Sequence, residues 1–236
     1  MGTFWLHIYK MENLINEMLH YSNQMSLITN LPIKEVYNKI ANHFDRSRNR
    51  IWGSVKDFLD GLEERSIVLE IGCGNGKNML YRKDLVFRGI DVSEEQVRIC
   101  KEKKLTVGLG CMTAVDFMDY MFDHIICVAT YHHLDNDLAR CASLHEMWRL
   151  LQWGGTVLIT VWAMEQPADG SFHFTARDEM VPWTSKDDGN TYLRYYHIYR
   201  EGELEEEIRR LCPAFTWLKT GWELGNWYCV LRKDMA

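Results

Sequence analysis

The residues best placed to do chemistry gather around Glu70-Ile71-Gly72-Cys73-Gly74-Asn75-Gly76-Lys77. Glycines at 72, 74 and 76 let a backbone turn sharply and come close to a ligand. A dinucleotide fingerprint would set its third glycine at position 77, where Lys77 stands, so a pyrophosphate-bearing cofactor is disfavoured. Asp91 follows nineteen positions after Gly72, where its carboxylate can accept both hydroxyls of a ribose. Glu70 precedes the turn, where it can orient the loop and attract an amino-acid ammonium. A ribose and an ammonium without a pyrophosphate describe S-adenosylmethionine, the expected cofactor. Cys111 and Met112 sit where an adenine ring would be edged, with the Met112 amide able to bond it. Val128 is the further expected cofactor contact.

Such a loop needs a strand before it and a helix after it. Ile67–Ile71 is a short apolar run and reads as a buried strand. Phe87–Asp91 reads as a second strand, with Ser93 placed to cap a helix running through Lys103. Further strands are expected at Leu105–Leu109, Ile125–Ala129 and Thr156–Trp162. An amphipathic helix is expected from Asp137 to Leu151, stopped by Gly154-Gly155. Helices are also predicted from about Ile33 to Phe44 and from about Trp52 to Gly61. Phe215–Thr220 and Trp227–Leu231 read as an antiparallel hairpin at a sheet edge, while Ala163–Leu193 shows little regular pattern. The fold class is therefore α/β: a Rossmann-like, doubly wound, mostly parallel sheet with an antiparallel C-terminal hairpin. Residues 1–32 read as an N-terminal helical extension and 33–236 as the cofactor-binding domain. In the extension, Met11, Leu14, Ile15, Met18 and Leu19 recur at helical spacing.

Bulk properties narrow the partners. The 236 residues are 47% hydrophobic and 25% charged, enough for one α/β core. A net charge of −6 argues against indiscriminate nucleic-acid binding but leaves room for a local basic site, such as Arg46, Arg48 and Arg50. Seven dispersed cysteines without a C-x-x-C pair read as reduced thiols in the cytoplasm, with nuclear presence also compatible, and give no structural zinc. Lys10, Glu12 and Glu17 break the segment from Phe4 to Ile28, so neither a signal peptide nor a membrane span is expected there.

Several runs resemble one family, the eukaryotic tRNA methyltransferases that esterify 5-carboxymethyluridine at the wobble position. They are Val36–Phe44, Ile71–Lys77, His132-His133, Val161–Gln166, Val181–Trp183, Arg194–His197, Tyr199–Leu204 and Gly225–Trp227. Together they span about residues 36 to 232, and the Trp-Ala-Met-Glu-Gln, Arg-Tyr-Tyr-His and Glu-Gly-Glu-Leu runs are the specific ones. The chain departs from the family at Cys111, where relatives of this class carry an acid. It also has a shortened stretch between Trp183 and Arg194, where relatives often hold a long basic insertion. The resemblance implies a tRNA anticodon stem-loop as substrate and a small zinc-binding activator subunit as partner.

A carboxylate acceptor is already ionised at neutral pH and needs no general base. It needs cations and donors to hold it, and Arg46, Arg48, Arg194 and His197 are the candidates. His132 follows the fourth strand, at the edge where open α/β sheets bind substrate. Trp162 ends the fifth strand and could wall the acceptor base. Two alternatives stay open on the residues alone. One is a methyltransferase for a small carboxylic acid or amine, favoured by the acidic charge and the missing insertion. The other is a catalytically silent cofactor-binding partner, hinted at by Cys111.

Overall fold

The computed structural model describes residues 31–170 and 172–235, so the expected helix through Met11–Leu19 lies outside the described residues. Chain order begins with helices α1 (Leu31–Ser47) and α2 (Gly53–Asp60), then β1 (Ile67–Ile71), β2 (Val86–Asp91), α3 (Glu94–Glu102) and β3 (Val107–Leu109). It continues with β4 (Phe122–Val128), a 3-10 turn at Tyr131–His133, α4 (Asp137–Leu150) and β5 (Leu151–Trp162). The last elements are β6 (Asp178–Thr184), β7 (Thr191–His197), α5 (Glu203–Leu211), β8 (Phe215–Glu223) and β9 (Asn226–Lys233).

Seven strands form one sheet in the order β3-β2-β1-β4-β5-β9-β8. The first five are parallel, and the β8–β9 hairpin adds two antiparallel strands at one edge, as the sequence predicts. Successive side chains of a strand face opposite sides, so buried strands feed two cores. Leu69, Ile71, Ile125, Cys127, Val157 and Ile159 face one layer, with α4 and α5 upon it. Val68, Ile126 and Leu158 face the other, against Val55 and Leu59 of α2. Strand order reverses beside β1, which pairs with both β2 and β4. The carboxyl ends of these strands open the crevice where such sheets hold ligands.

Four local expectations change. No helix follows the glycine turn, and the residues between Ile71 and Val86 form successive turns instead. Helix α4 ends at Leu150, and Gly154-Gly155 lies inside β5, where the register against β4 shifts between Phe122 and His124. Gly154 has φ +80°, so the pair serves a kink in the strand and not a helix stop. The stretch from Ala163 to Leu193 holds β6 and the start of β7, which pair with each other as a separate ribbon. Its period of two is short and interrupted by Pro182, though Val181 and Trp183 are both buried. Helix α5 has no counterpart among the elements expected from the sequence. Three glutamates in its first turn and two arginines in its last match the helix dipole, and Leu204 and Ile208 fix it to the core.

Candidate active site

The turn after β1 is shaped by backbone demands that only glycine meets. Gly72 has φ +70°, and a Cβ there would lie 2.3 Å from the Thr130 side chain. A Cβ on Gly76, at φ +73°, would lie 2.2 Å from Leu105 Cδ1. The Gly72 and Cys73 amides both donate to the Ile90 carbonyl, which ties the turn to β2. Asp91, at the end of β2, holds the loop from the other side. Its Oδ2 accepts from the Gly74 amide at 2.8 Å, and its Oδ1 accepts from the Ser93 amide at 2.9 Å. Each oxygen keeps a second lone pair for a ligand hydroxyl. Ser93 caps α3 by accepting from the Gln96 amide. Burial raises the Asp91 pKa against these bonds.

Glu70 supplies the test of whether an amino-acid cofactor fits. It is buried, its Oε1 accepts from Asn78 Nδ2 at 2.7 Å, and its Oε2 has no partner. Desolvation pushes its pKa up to about 8, with the Asn78 bond pulling the other way. An ammonium beside it would restore the charged form, so the carboxyl fits the expected ligand. Cys111, Met112 and Val128 line the same cavity, which measures about 420 Å³. Cys111 Sγ lies 3.1 Å from Thr113 Oγ1.

The cavity continues from the glycine loop to the other group of expected residues. Trp162 stacks on Tyr196 with ring centres 4.2 Å apart. Arg194 is 3% exposed, lines the cavity and donates from Nη1 to the Tyr196 hydroxyl at 2.7 Å. Its guanidinium carbon stands 4.9 Å from the ring centre of Trp183. Arg48, on the wall at the end of α1, stands 4.8 Å from the same indole. Desolvation and the Arg194 charge lower the Arg48 pKa. Among the described residues, neither arginine has a carboxylate in an ion pair. Two unneutralised guanidiniums round one indole make a site for an anion.

The other expected residues sit outside this wall. Arg46 is exposed and pairs with Asp187. His132 is fully buried, its Nδ1 accepting from the Trp162 amide at 3.0 Å, and desolvation holds its pKa far below the usual histidine value. His197 is gripped by two carboxylates, Asp178 at 2.8 Å and Glu203 at 2.9 Å. The neighbour His133 lines the cavity instead, with Tyr37, Phe44 and Thr130. Tyr37 and Phe44 lie seven residues apart on α1, and Arg48 follows just past its end with its amide donating to the Phe44 carbonyl; that helical spacing is the signal that could have found them. No cluster of three metal-ligating side chains occurs among the described residues.

Residues 69–159 match the family described as methyltransferase domain. A tRNA (carboxymethyluridine(34)-5-O)-methyltransferase from Schizosaccharomyces pombe is 30% identical over 227 residues, covering 86% of this chain and 96% of that protein. The chain belongs to the tRNA (carboxymethyluridine(34)-5-O)-methyltransferase family. The family's alkbh8 member from Xenopus tropicalis is 31% identical over 255 residues, covering 85% of this chain. The chain spans only 40% of that longer relative. Among solved structures, a chain of the complex between the Haloferax volcanii Trm112 methyltransferase activator and a methyltransferase superposes with a TM-score of 0.64. It is 16% identical, covers 86% of this chain and 98% of its own length, and shares the fold alone. That fold is the Rossmann-like architecture of S-adenosylmethionine-dependent methyltransferases. Within the family arrangement, the stretch between Trp183 and Arg194 is a compact turn whose Lys186 amide donates to His43 of α1.

Proposed function

We propose that this chain is an S-adenosylmethionine-dependent methyltransferase that esterifies the carboxylate of 5-carboxymethyluridine at the wobble position of tRNA. The observation that carries the reading is the pair Arg48 and Arg194, two cations without a carboxylate partner, facing the cavity that begins at the glycine loop. Bound at the loop, the cofactor supplies an electrophilic methyl group for in-line displacement. Glu70 and Asp91 bind and orient it, and the glycine turn shapes its seat. The arginines hold the acceptor carboxylate ionised and in place, so no side chain has to remove a proton. The Trp162–Tyr196 stack offers an aromatic wall beside them, suited to a base turned out of an RNA loop.

The alkbh8 and fungal relatives support the substrate, and the Haloferax complex with the Trm112 activator supports a small activator subunit as partner, for which zinc binding is implied by the family resemblance alone. For location the reading implies the cytoplasm, checked by fractionation of cells. No helix among the described residues is long and apolar enough to cross a membrane. The test is mass spectrometry of nucleosides from carboxymethyluridine tRNA incubated with the protein, cofactor and activator. The expected product is the methyl ester, and Arg194→Ala should abolish it while calorimetry shows unchanged cofactor affinity. Efficient methylation of a free small acid, with none on tRNA, would overturn the reading.

A further inference from the structure

Gln166 closes the run Trp162-Ala163-Met164-Glu165-Gln166, which leads out of the end of β5. Neighbouring bonds pin this run. The Met164 amide donates to the Tyr199 carbonyl. The Glu165 carboxylate accepts from the Trp227 indole at 2.9 Å and from the Glu201 amide at 3.3 Å. Gln166 ties the run to the β8–β9 turn. Its Nε2 donates to the Ala163 carbonyl at 2.6 Å and to the Gly225 carbonyl at 3.0 Å. Asn226 fixes the turn in its own place, with Nδ2 donating to the carbonyls of Glu223 and Leu224.

A carboxamide has two N–H donors and one oxygen, and a backbone carbonyl only accepts. Both donors of Gln166 are engaged by carbonyls, so the amide cannot flip and its oxygen is held where Oε1 stands. Oε1 accepts no hydrogen bond among the described residues, and it is not one of the atoms sealed inside the protein without a partner. Gly225 makes room for it. That residue has φ +78°, and a Cβ there would lie 2.4 Å from Oε1. Gln166 and Gly225 both line the cavity, beside Trp162, Phe172 and Leu224. A fixed acceptor on a cavity wall selects for a donor. The acceptor base of the substrate reading has one in uracil N3–H. Cytosine has a lone pair at N3, which would face the lone pairs of Oε1. The C5 substituent and N3–H leave the uracil ring on different edges, so one base can turn its carboxylate to the arginines and its N3–H to Gln166.

We propose that Gln166 is a base-reading subsite, in which Oε1 accepts a hydrogen bond from N3–H of the acceptor uracil. The inference rests on the substrate reading above and adds how the site tells uracil from cytosine. A glutamine free to swing would have to be ordered when the RNA arrives, which costs rotamer entropy. This one is ordered on folding by its two bonds to carbonyls. A site built to bond a donor also rejects the analogue that lacks it, because the acceptor is then left without a partner.

Equilibrium binding tests this with anticodon stem-loop RNAs whose wobble base is 5-carboxymethyluridine, its N3-methyl derivative or 5-carboxymethylcytidine. Each is titrated into the protein with its activator and S-adenosylhomocysteine. Wild type should bind the carboxymethyluridine RNA about tenfold more tightly than either of the others, the loss of one hydrogen bond at a fixed acceptor. Gln166→Met is close in length but has no amide oxygen, and it should lose that preference against both RNAs. If Gln166 only ties β5 to the turn, the variant weakens every RNA alike and keeps the wild-type ratios. Kept ratios, or a wild type indifferent to N3, overturn the subsite. A clash of the N3-methyl group elsewhere in the cavity would also persist in Gln166→Met, and the cytidine RNA carries no such methyl. Wild type that shows the preference but forms no methyl ester would count against the substrate reading and leave the subsite standing. Methyl transfer with no preference among the bases strikes the subsite alone.

Discussion

Glu70 concentrates the electrostatics of the cofactor end in one carboxyl group. Its folded pKa, about 8, lies above the ordinary value of 4.5. Below 4.5 the carboxyl is neutral in both folded and unfolded states and costs nothing. Between the two values the unfolded chain releases the proton more readily, so stability falls as pH rises. Glu70→Gln should therefore raise the melting temperature of the cofactor-free protein more at pH 8 than at pH 5. The wild type should release a proton on cofactor binding at pH 7, and the same variant should weaken binding and suppress that release. Calorimetry in buffers of different ionisation enthalpy reads that release directly; equal proton counts for the two proteins would refute the assignment. The role of Glu70 was legible in the sequence because its surroundings are local. It ends a buried strand and precedes a turn of glycines, and Asp91 and Ser93 are likewise set by nearby residues. His132 and His133 were not separable that way. They are consecutive on a 3-10 turn, where neighbouring side chains diverge by about a third of a circle. Which of them meets the cavity depends on the strands and helix packed around the turn.

At the scale of elements, the β6–β7 ribbon and α1 behave as one unit built around Trp183. Its indole Nε1 donates to His43 Nδ1 of α1 at 3.0 Å, and Arg46 of α1 pairs with Asp187 of the ribbon's turn. The indole also faces both arginines of the anion site. Trp183→Leu keeps apolar bulk but removes the aromatic face and the N–H. It should raise KM for RNA at least tenfold and destabilise the fold by about 2 kcal/mol. Trp183→Phe, which keeps the face, should recover most of the RNA affinity. A melting curve and a KM on both variants separate packing from cation placement; equal KM values for Phe and Leu would remove the indole from the site. This unit escaped sequence reading because a seven-residue strand with a proline carries little period, and its partners lie about 140 positions away in α1. Arg46 and Arg48 show the same limit. One sits in the last turn of α1 and the other just past its end; they face different ways, and only Arg48 reaches the wall.

Across the whole molecule, a net charge of −6 coexists with cations collected at one opening: Arg48, Arg50, Lys77 and Arg194 all line the cavity. Binding of RNA there should weaken steeply with added salt as phosphate contacts are screened. A plot of log affinity against log salt should have a clearly negative slope, reduced in Arg50→Ala; a flat line would exclude phosphate contacts. At saturating cofactor, where Glu70 is already ionised by its ligand, the rate with carboxymethyluridine RNA should stay level above about pH 6, because the acceptor has no proton left to lose. Helix α1 spans both ends of this opening. It bonds the cofactor side through Asn38 to Ser93 and through Asp45 to Lys103, and it carries Tyr37 and leads into Arg48 on the acceptor side. A shared roof of this kind imposes a sequence in time. With RNA seated against α1 and in front of the glycine turn, the expected order is cofactor first and its spent form last, which product-inhibition kinetics check; random binding would refute it. At low cofactor, turnover should then be set by the loading step, and excess RNA should slow the reaction.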